Sequence, residues 1–447
     1  MRLVIAISSV SARVKFAVPA TDATYGVGRA CSVERLTRGV ANVIKKIKVE
    51  KLRPGIFVHD FNCGWLHHPF LKNRVKLTSD KEIEKVAKCG IREVYIDTDH
   101  GLDVDDAPSQ DEIDQTIDGE FQALRTVSHG TQDELPLATR MESAKALLAE
   151  AKLTTQRLMD AVRLGTQIDM GTVENLVERM TESVLLDRDA LVSLLRIKSK
   201  DEYTYLHSLA VSALCISFAQ AMDFDAAKIR GIGIGGLLHD IGKVKIPKGI
   251  LNKPGPLTQG EFEIMKQHVD HGNELLQQTT RLNECSICVT AHHHERLDGT
   301  GYPKGLRGDE ISLFGQISAI VDIYDALTSE RCYKAAMAPT EALRKVLEWS
   351  GAYLNRSLVE KFITHIGIYP IGSVVRLRSG AIGVVVRHGE KDLLHPVVRI
   401  VFDWRRQRSQ EAPELDLAQP ACGGDGNEIV SCESAAKLKI DPVKYLF

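Results

Sequence analysis

Three runs in this chain are almost free of charge, yet each carries side chains able to ionise. His207 lies in YTYLHSLAVSALCISFA, His239 and Asp240 in GIGIGGLLHDIGK, and Asp322 in FGQISAIVDIYDAL. Runs this apolar belong in buried helices, since only burial removes their surface from water. Burying a charge without a partner is expensive. The chain must therefore build a helical core that also supplies partners for these groups. A metal ion is one such partner, and it keeps imidazole neutral.

The helical pattern extends from Leu137 to about Gly367. MESAKALLAEAKLTTQRLMDAV and TVENLVERMTESVL repeat apolar residues at three- and four-residue steps. Further helices are expected at 201–222, 225–239, 258–278, 283–296, 312–330 and 339–365, separated by Gly and Pro at Pro247, Pro254-Gly255-Pro256 and Gly299 to Pro303. Residues 47–104 read differently. KIKVEKLRPGIFVHDF alternates in strand fashion about Pro54-Gly55, DKEIEKVAKCGI is a short amphipathic helix ending at Gly90, and REVYIDT is a second strand. Between Asp103 and Glu134 there are ten acids and one Arg, so 105–136 reads as a solvated acidic linker. After Pro370 the period becomes two, with a hairpin at Ser379-Gly380, HPVVRIVFDW as a third strand and PACGGDGNE as a loop. The expected fold is multi-domain: a poorly specified segment 1–46, a small α/β domain 47–104, the linker, an all-α helical bundle 137–369 and a β-rich extension 370–447.

Lys+Arg 57 against Asp+Glu 59 gives no electrostatic case for binding a nucleic-acid polymer or a membrane surface. Nine cysteines, irregularly spaced, read as reduced thiols. Cys285-Ser-Ile-Cys288 falls in an apolar helical run and reads as a core face. No run reaches the length of a membrane span. The N-terminus imitates a signal peptide, but Arg13 and Lys15 interrupt its apolar stretch. A cytoplasmic location is expected.

Seven of the 15 histidines lie between His207 and His294. Taken singly, each is more often a hydrogen-bonded core residue than a ligand; the weight lies in the set His207, His239-Asp240, His268, His293-His294 and Asp322. Helices of a bundle can project such residues into one shared site. Mixed imidazole and carboxylate donors suit Fe, Mn, Ni or Zn and not Mg or Ca. A carboxylate directly after a His is well placed to bridge two ions. Such a pair holds a shared hydroxide and clamps an in-line phosphoryl displacement. The chain has no GxSxG, GxxxxGK[ST] or HExxH pattern.

The ordered set H…HDIGK…H…HHERLDGTGYP…D…RCYK, over roughly 195–375, resembles the HD-GYP family, metal-dependent phosphodiesterases of the HD superfamily that degrade cyclic di-GMP. LRPGIFVHDF, GWLHHPF and VYIDTDHG resemble a small domain often found ahead of it. The resemblance implies an HD-type bundle. It also implies His207, His239 and Asp322 on one divalent ion and His268, His293 and His294 on a second, with Asp240 bridging. Fe or Mn is the expected metal, with Ni or Zn as alternatives. Lys243 would contact the scissile phosphate, and Arg331 and Lys334 would grip the phosphates. The loop Gly301-Tyr302-Pro303 is either a wall of the site, with Tyr302 on the substrate, or a docking surface for diguanylate cyclase (GGDEF) domains; a structural turn is the equal alternative. Asp298 is expected to anchor it. Some members take a third ion through a Glu four residues before the first His. Tyr203 stands there, so two ions are expected. The implied reaction is hydrolysis of cyclic di-GMP to pGpG, with a second cut to GMP left open. The rival is a cyclic di-GMP-responsive scaffold with little turnover. A homodimer is compatible with either.

Overall fold

A computed structural model describes residues 44–63, 74–124, 137–196, 203–279, 282–330, 336–389, 392–403, 414–419 and 427–446. The expected segment GWLHHPF, most of the loop PACGGDGNE, and both Arg331 and Lys334 lie outside these residues.

The chain opens with a four-stranded antiparallel sheet in the order β1-β4-β2-β3. Its strands are β1 (Ile44–Lys48), β2 (Phe57–Asp60), β3 (Val75–Lys76) and β4 (Glu93–Asp97), with helix α1 (Asp80–Lys88) before β4. Ile47, Ile56, Val58, Leu77, Val86, Val94 and Ile96 form its own core. The first strand begins three residues ahead of the expected border at residue 47.

The acidic stretch is not simply a linker. Residues Gln110–Leu124 form helix α2, with Ile117 and Phe121 buried in the main core. Ile113, Ile117, Phe121 and Leu124 recur at four- and three-residue steps, a stripe that the surrounding acids obscure.

The helical body follows as α3 (Leu137–Arg163), α4 (Met170–Leu186), α5 (Arg188–Arg196), α6 (Tyr203–Ala221) and α7 (Ala226–Leu238). Asp169 caps α4 through the Gly171 and Thr172 amides, and Asp225 caps α7 through the Lys228 amide. A 3-10 turn at Ile241–Lys245 leads to α8 (Lys248–Leu251), α9 (Gln259–Lys266), α10 (His268–Gln277), α11 (Glu284–His292), α12 (Leu313–Thr328), α13 (Pro339–Trp349) and α14 (Arg356–Ile366). Two expected helices are therefore split. The run 258–278 breaks at Gln267, and 339–365 breaks before Asn355, whose side chain caps α14 through the Leu358 amide. The small residues of α7 let it pack closely on both sides. A Cβ on Gly236 would come within 2.9 Å of Ser212 Cα in α6, and one on Gly235 within 2.6 Å of Val289 Cβ in α11. Only backbone-to-helix packing this tight brings the ends of α6, α7 and α11 to one point.

The C-terminal part is a five-stranded antiparallel sheet, order β8-β7-β6-β5-β9. Its strands are β5 (Val374–Leu377), β6 (Ala381–Arg387), β7 (Val397–Asp403), β8 (Glu414–Asp416) and β9 (Ile429–Glu433), followed by a short helix α15 (Ala435–Leu438). Alternation divides β6: Val384 and Val386 join the main core, while Val385 joins a small core on the other face. Among the described residues no helix is long and apolar enough to cross a membrane.

The N-terminal sheet meets α13 along a polar seam. Glu348 accepts hydrogen bonds from the Tyr95 hydroxyl at 2.7 Å and the Asn62 amide at 3.1 Å, and pairs with Lys46 at 3.0 Å. Asn62 in turn accepts from Trp349 Nε1 at 3.0 Å.

Arg344 of α13 lies over the Phe121 ring at 5.8 Å and pairs with Asp118. Phe121→Ala is expected to cost about 3–4 kcal/mol through the cavity it leaves. Urea denaturation followed by circular dichroism would show it; a loss below about 0.5 kcal/mol would return this segment to a solvated linker.

Candidate metal centre

Five helices deliver the expected residues to one buried point. His207 comes from the first turns of α6, His239 from the C-terminal end of α7 with Asp240 directly after it, and His268 from the first position of α10. His293 and His294 follow α11, and Asp322 lies in α12. The break at Gln267 gives His268 its place at a helix start. The donor atoms fall into two groups, each within 4.8 Å internally: His207, His239 and Asp322 in one; Asp240, His268, His293 and His294 in the other.

Asp240 stands between the groups. Its Oδ2 lies 3.3 Å from His239 Nε2 and 3.6 Å from His207 Nε2. Its Oδ1 lies 3.3 Å from His268 Nε2 and 3.9 Å from His293 Nε2. Asp322 Oδ1 is 3.0 Å from His207 Nε2 and 3.8 Å from His239 Nε2, while its Oδ2 is 4.0 Å from His294 Nδ1. His207, His239, Asp240, His268 and His293 are all 2% exposed or less.

The outer nitrogen of each ring decides what the inner one can do. His239 Nδ1 donates to the Gly236 carbonyl at 2.8 Å, His268 Nδ1 to Met265 at 2.7 Å and His293 Nδ1 to Thr290 at 2.9 Å. A carbonyl accepts only, so each Nδ1 carries a proton; in the neutral ring, the form that ligates metal, the remaining lone pair then faces inward at Nε2. His239 Nε2, His268 Nε2, His293 Nε2 and Asp240 Oδ1 are buried and make no hydrogen bond. Acceptors facing acceptors among buried side chains fit a bound cation. This cluster can hold metal. His207 is held the same way by a carboxylate: its Nδ1 donates to Asp325 Oδ2 at 2.7 Å, and Asp325 is fully buried.

The electrostatics follow. Burial pushes the Asp240 carboxyl up, but His239 and Lys243 beside it outweigh burial and hold it well below the usual carboxylate range. Burial, then the rings of His239 and His268, hold His293 down to about 3. Lys243 Nζ donates to Asp240 Oδ2.

His292 is not part of the cluster. Its Nδ1 accepts from the Ser312 amide at 3.3 Å, at the start of α12. The loop after His294 closes over the site. Tyr302 places its ring 4.6 Å from that of His294 and 6.3 Å from that of His268. Asp298 accepts from the Thr300 amide at 3.0 Å and its hydroxyl at 2.7 Å, the anchoring expected of it. Buried Glu295 accepts from the Lys304 and Leu306 amides at 2.8 and 3.0 Å. Asp325 and Glu295 escaped the sequence reading. For Asp325 the signal was available: it stands three residues after Asp322, on the same helix face. The side chain of Tyr203 lies outside the described residues.

Residues 179–358 match the HD domain family, and 44–173 match a Domain of unknown function (DUF3391). The chain is 36% identical over 395 residues to a cyclic di-GMP phosphodiesterase of Pseudomonas aeruginosa, covering 88% of this chain and 93% of that protein. It belongs to the HD-GYP family. Other relatives match over shorter stretches. A cyclic di-GMP phosphodiesterase of Thermotoga maritima is 39% identical over 37% of this chain and 45% of its own length. A 3′3′-cGAMP-specific phosphodiesterase of Vibrio cholerae is 35% identical over 38% of this chain and 33% of its own length. The HD-GYP signature HDIGK contains a packing requirement. A Cβ on Gly242 would lie 1.9 Å from the His268 carbonyl oxygen and 2.4 Å from the Gly272 amide nitrogen. Gly242→Ala is expected to force the 3-10 turn off α10 at a cost of about 3 kcal/mol. Gly249→Ala, where a Cβ meets nothing within 4 Å, is the control. Equal melting temperatures for the two variants would refute the requirement.

Proposed function

We propose that this chain hydrolyses a 3′–5′ phosphodiester of cyclic di-GMP to pGpG, with a second cut to GMP left open, at a site where the residues around Asp240 would hold two divalent ions. The observation that carries this reading is the division of the Asp240 carboxylate, one oxygen toward each group of donors. His207, His239 and Asp322 would hold one ion; His268, His293 and His294 the other. Fe or Mn suits this donor set best, with Ni or Zn as alternatives. Two such ions lower the pKa of bound water and neutralise phosphate charge.

The chain's own residues supply the rest. The Nδ1 bonds of His207, His239, His268 and His293 fix ring tautomer and direction, so the donors need little reorganisation. Lys243 offers an ammonium at the rim of Asp240, where a substrate phosphate brings negative charge. Arg331 and Lys334, shortly after α12, would grip the phosphates; Arg does so with a bidentate fork. Tyr302 faces His294 and His268, which favours a substrate wall over a docking surface for diguanylate cyclase domains.

Protein reconstituted anaerobically with Fe(II) or Mn(II) is expected to convert cyclic di-GMP to pGpG, read by product chromatography. Asp240→Ala is expected to lose both metal and turnover. Lys243→Ala is expected to keep metal and lower kcat by about 10²-fold. Folded, metal-loaded protein that binds cyclic di-GMP and leaves it intact for hours would replace this reading with the scaffold.

A further inference from the structure

The loop that carries Tyr302 is held from outside the helical bundle. Asp298 uses Oδ1 on Thr300, as above, and its Oδ2 faces Arg92 Nε at 2.6 Å. Arg92 belongs to the N-terminal domain, in the turn between α1 and β4. The Asp298 side chain is only 2% exposed, whereas that of Arg92 is 51% exposed. The carboxylate is thus buried in the loop, and the cation reaches it from the neighbouring domain.

Two further contacts reach this turn, at Arg92 and Gly90, and two others tie Tyr353 to the start of the loop. The Arg92 amide donates to the Tyr353 hydroxyl at 3.0 Å, and the Tyr353 carbonyl accepts from the Leu297 amide at 3.0 Å. The guanidinium of Arg296 lies over the Tyr353 ring at 5.0 Å. Gly90 has φ +70, and a Cβ there would come within 2.8 Å of Thr300 Cβ. The domain turn and the loop are therefore fitted backbone to side chain as well as charge to charge. The covalent path is short: Asp298 and Thr300 flank Gly299, and Tyr302 follows two residues after Thr300, with its amide on the His294 carbonyl at 3.2 Å.

We propose that the N-terminal domain is a structural part of the catalytic centre, with Arg92 as a positioning residue that braces the Asp298–Tyr302 loop over the substrate. This rests on the phosphodiesterase reading for its kinetic consequence, though not for its structural one. Arg92 meets the loop at Asp298 and reaches Tyr353 through its amide. It acts through Asp298, fixing the distance between the Tyr302 ring and the His294 edge of the site. The domain's assignment is then mechanical: it supplies the outer wall that the loop leans on.

The test uses full-length protein and the variants Arg92→Ala, Arg92→Lys, Asp298→Asn and the Arg92→Ala/Asp298→Asn double variant. Hydrogen exchange is read on metal-loaded samples without substrate. Amides of 299–306 are expected to exchange about tenfold faster in Arg92→Ala, with Arg92→Lys between it and wild type and α12 unchanged. Metal content is expected to stay at the wild-type level. With Mn(II) and cyclic di-GMP, Arg92→Ala and Asp298→Asn are each expected to lower kcat/KM about tenfold, mainly through KM, with the double variant no worse than either single one. Loop amides as protected in Arg92→Ala as in wild type would overturn the proposal. So would a lowered melting temperature with unchanged loop exchange and kcat/KM, or fully multiplicative losses in the double variant. If wild type itself leaves cyclic di-GMP intact, the phosphodiesterase reading fails, and the exchange result alone decides whether Arg92 braces the loop.

Discussion

Lone pairs meeting lone pairs in an apolar core is the constraint on which this structure turns. Asp240 is buried between four imidazole nitrogens with the Lys243 ammonium on its Oδ2, and where the rings are neutral its Oδ1 meets only lone pairs. Around that point the chain places the first turns of α6, the ends of α7, α10 and α11 and the middle of α12, and the far nitrogens of His207, His239, His268 and His293 are tied to a carbonyl or a carboxylate. The ties set tautomer as well as angle. They remove the option of turning the ring to reach Asp240 through Nδ1.

Close packing gives this electrostatic arrangement its geometry. Helix α7 passes between α6 and α11 with glycines at both contacts, and the turn after Asp240 presses on α10 at Gly242. Larger residues at these places would move His239 or His268 by more than the tolerance of a coordination shell. The glycines of GIGIGGLLHDIGK are thus as much a part of the site as the His and Asp they precede and follow.

Much of this was legible from sequence, for identifiable reasons. An ionisable residue inside an apolar run is a local signal, so His207, His239, Asp240 and Asp322 stood out. Asp225, Thr258 and Ser312 also mark helix starts locally. The break at Gln267 has no Gly or Pro to announce it; it exists because α10 must begin where His268 can reach Asp240. Helix α2 was hidden by its own acids, since a narrow stripe of Ile and Phe is easily outvoted in composition. Asp325 is hard to separate from Asp322 by sequence, since DIYD offers two carboxylates on one helix face and only Asp322 joins the metal donors. The pairing of Arg92 with Asp298 joins residues far apart in sequence, and no periodicity records such a contact.

The seam between the N-terminal sheet and α13 has a consequence for modularity. Glu348 takes its donors from Lys46, Tyr95 and Asn62 on one side, and from Lys345 of its own helix at 3.0 Å. An apolar seam would tolerate sliding and many substitutions of similar volume. A buried carboxylate with directional donors admits one seating and penalises any partner that leaves it short. The N-terminal domain is therefore not interchangeable with the same domain from a relative whose strands lack those donors. A graft would inherit the fold of the domain while losing its address on the bundle, and the two parts of the chain are bound to change together.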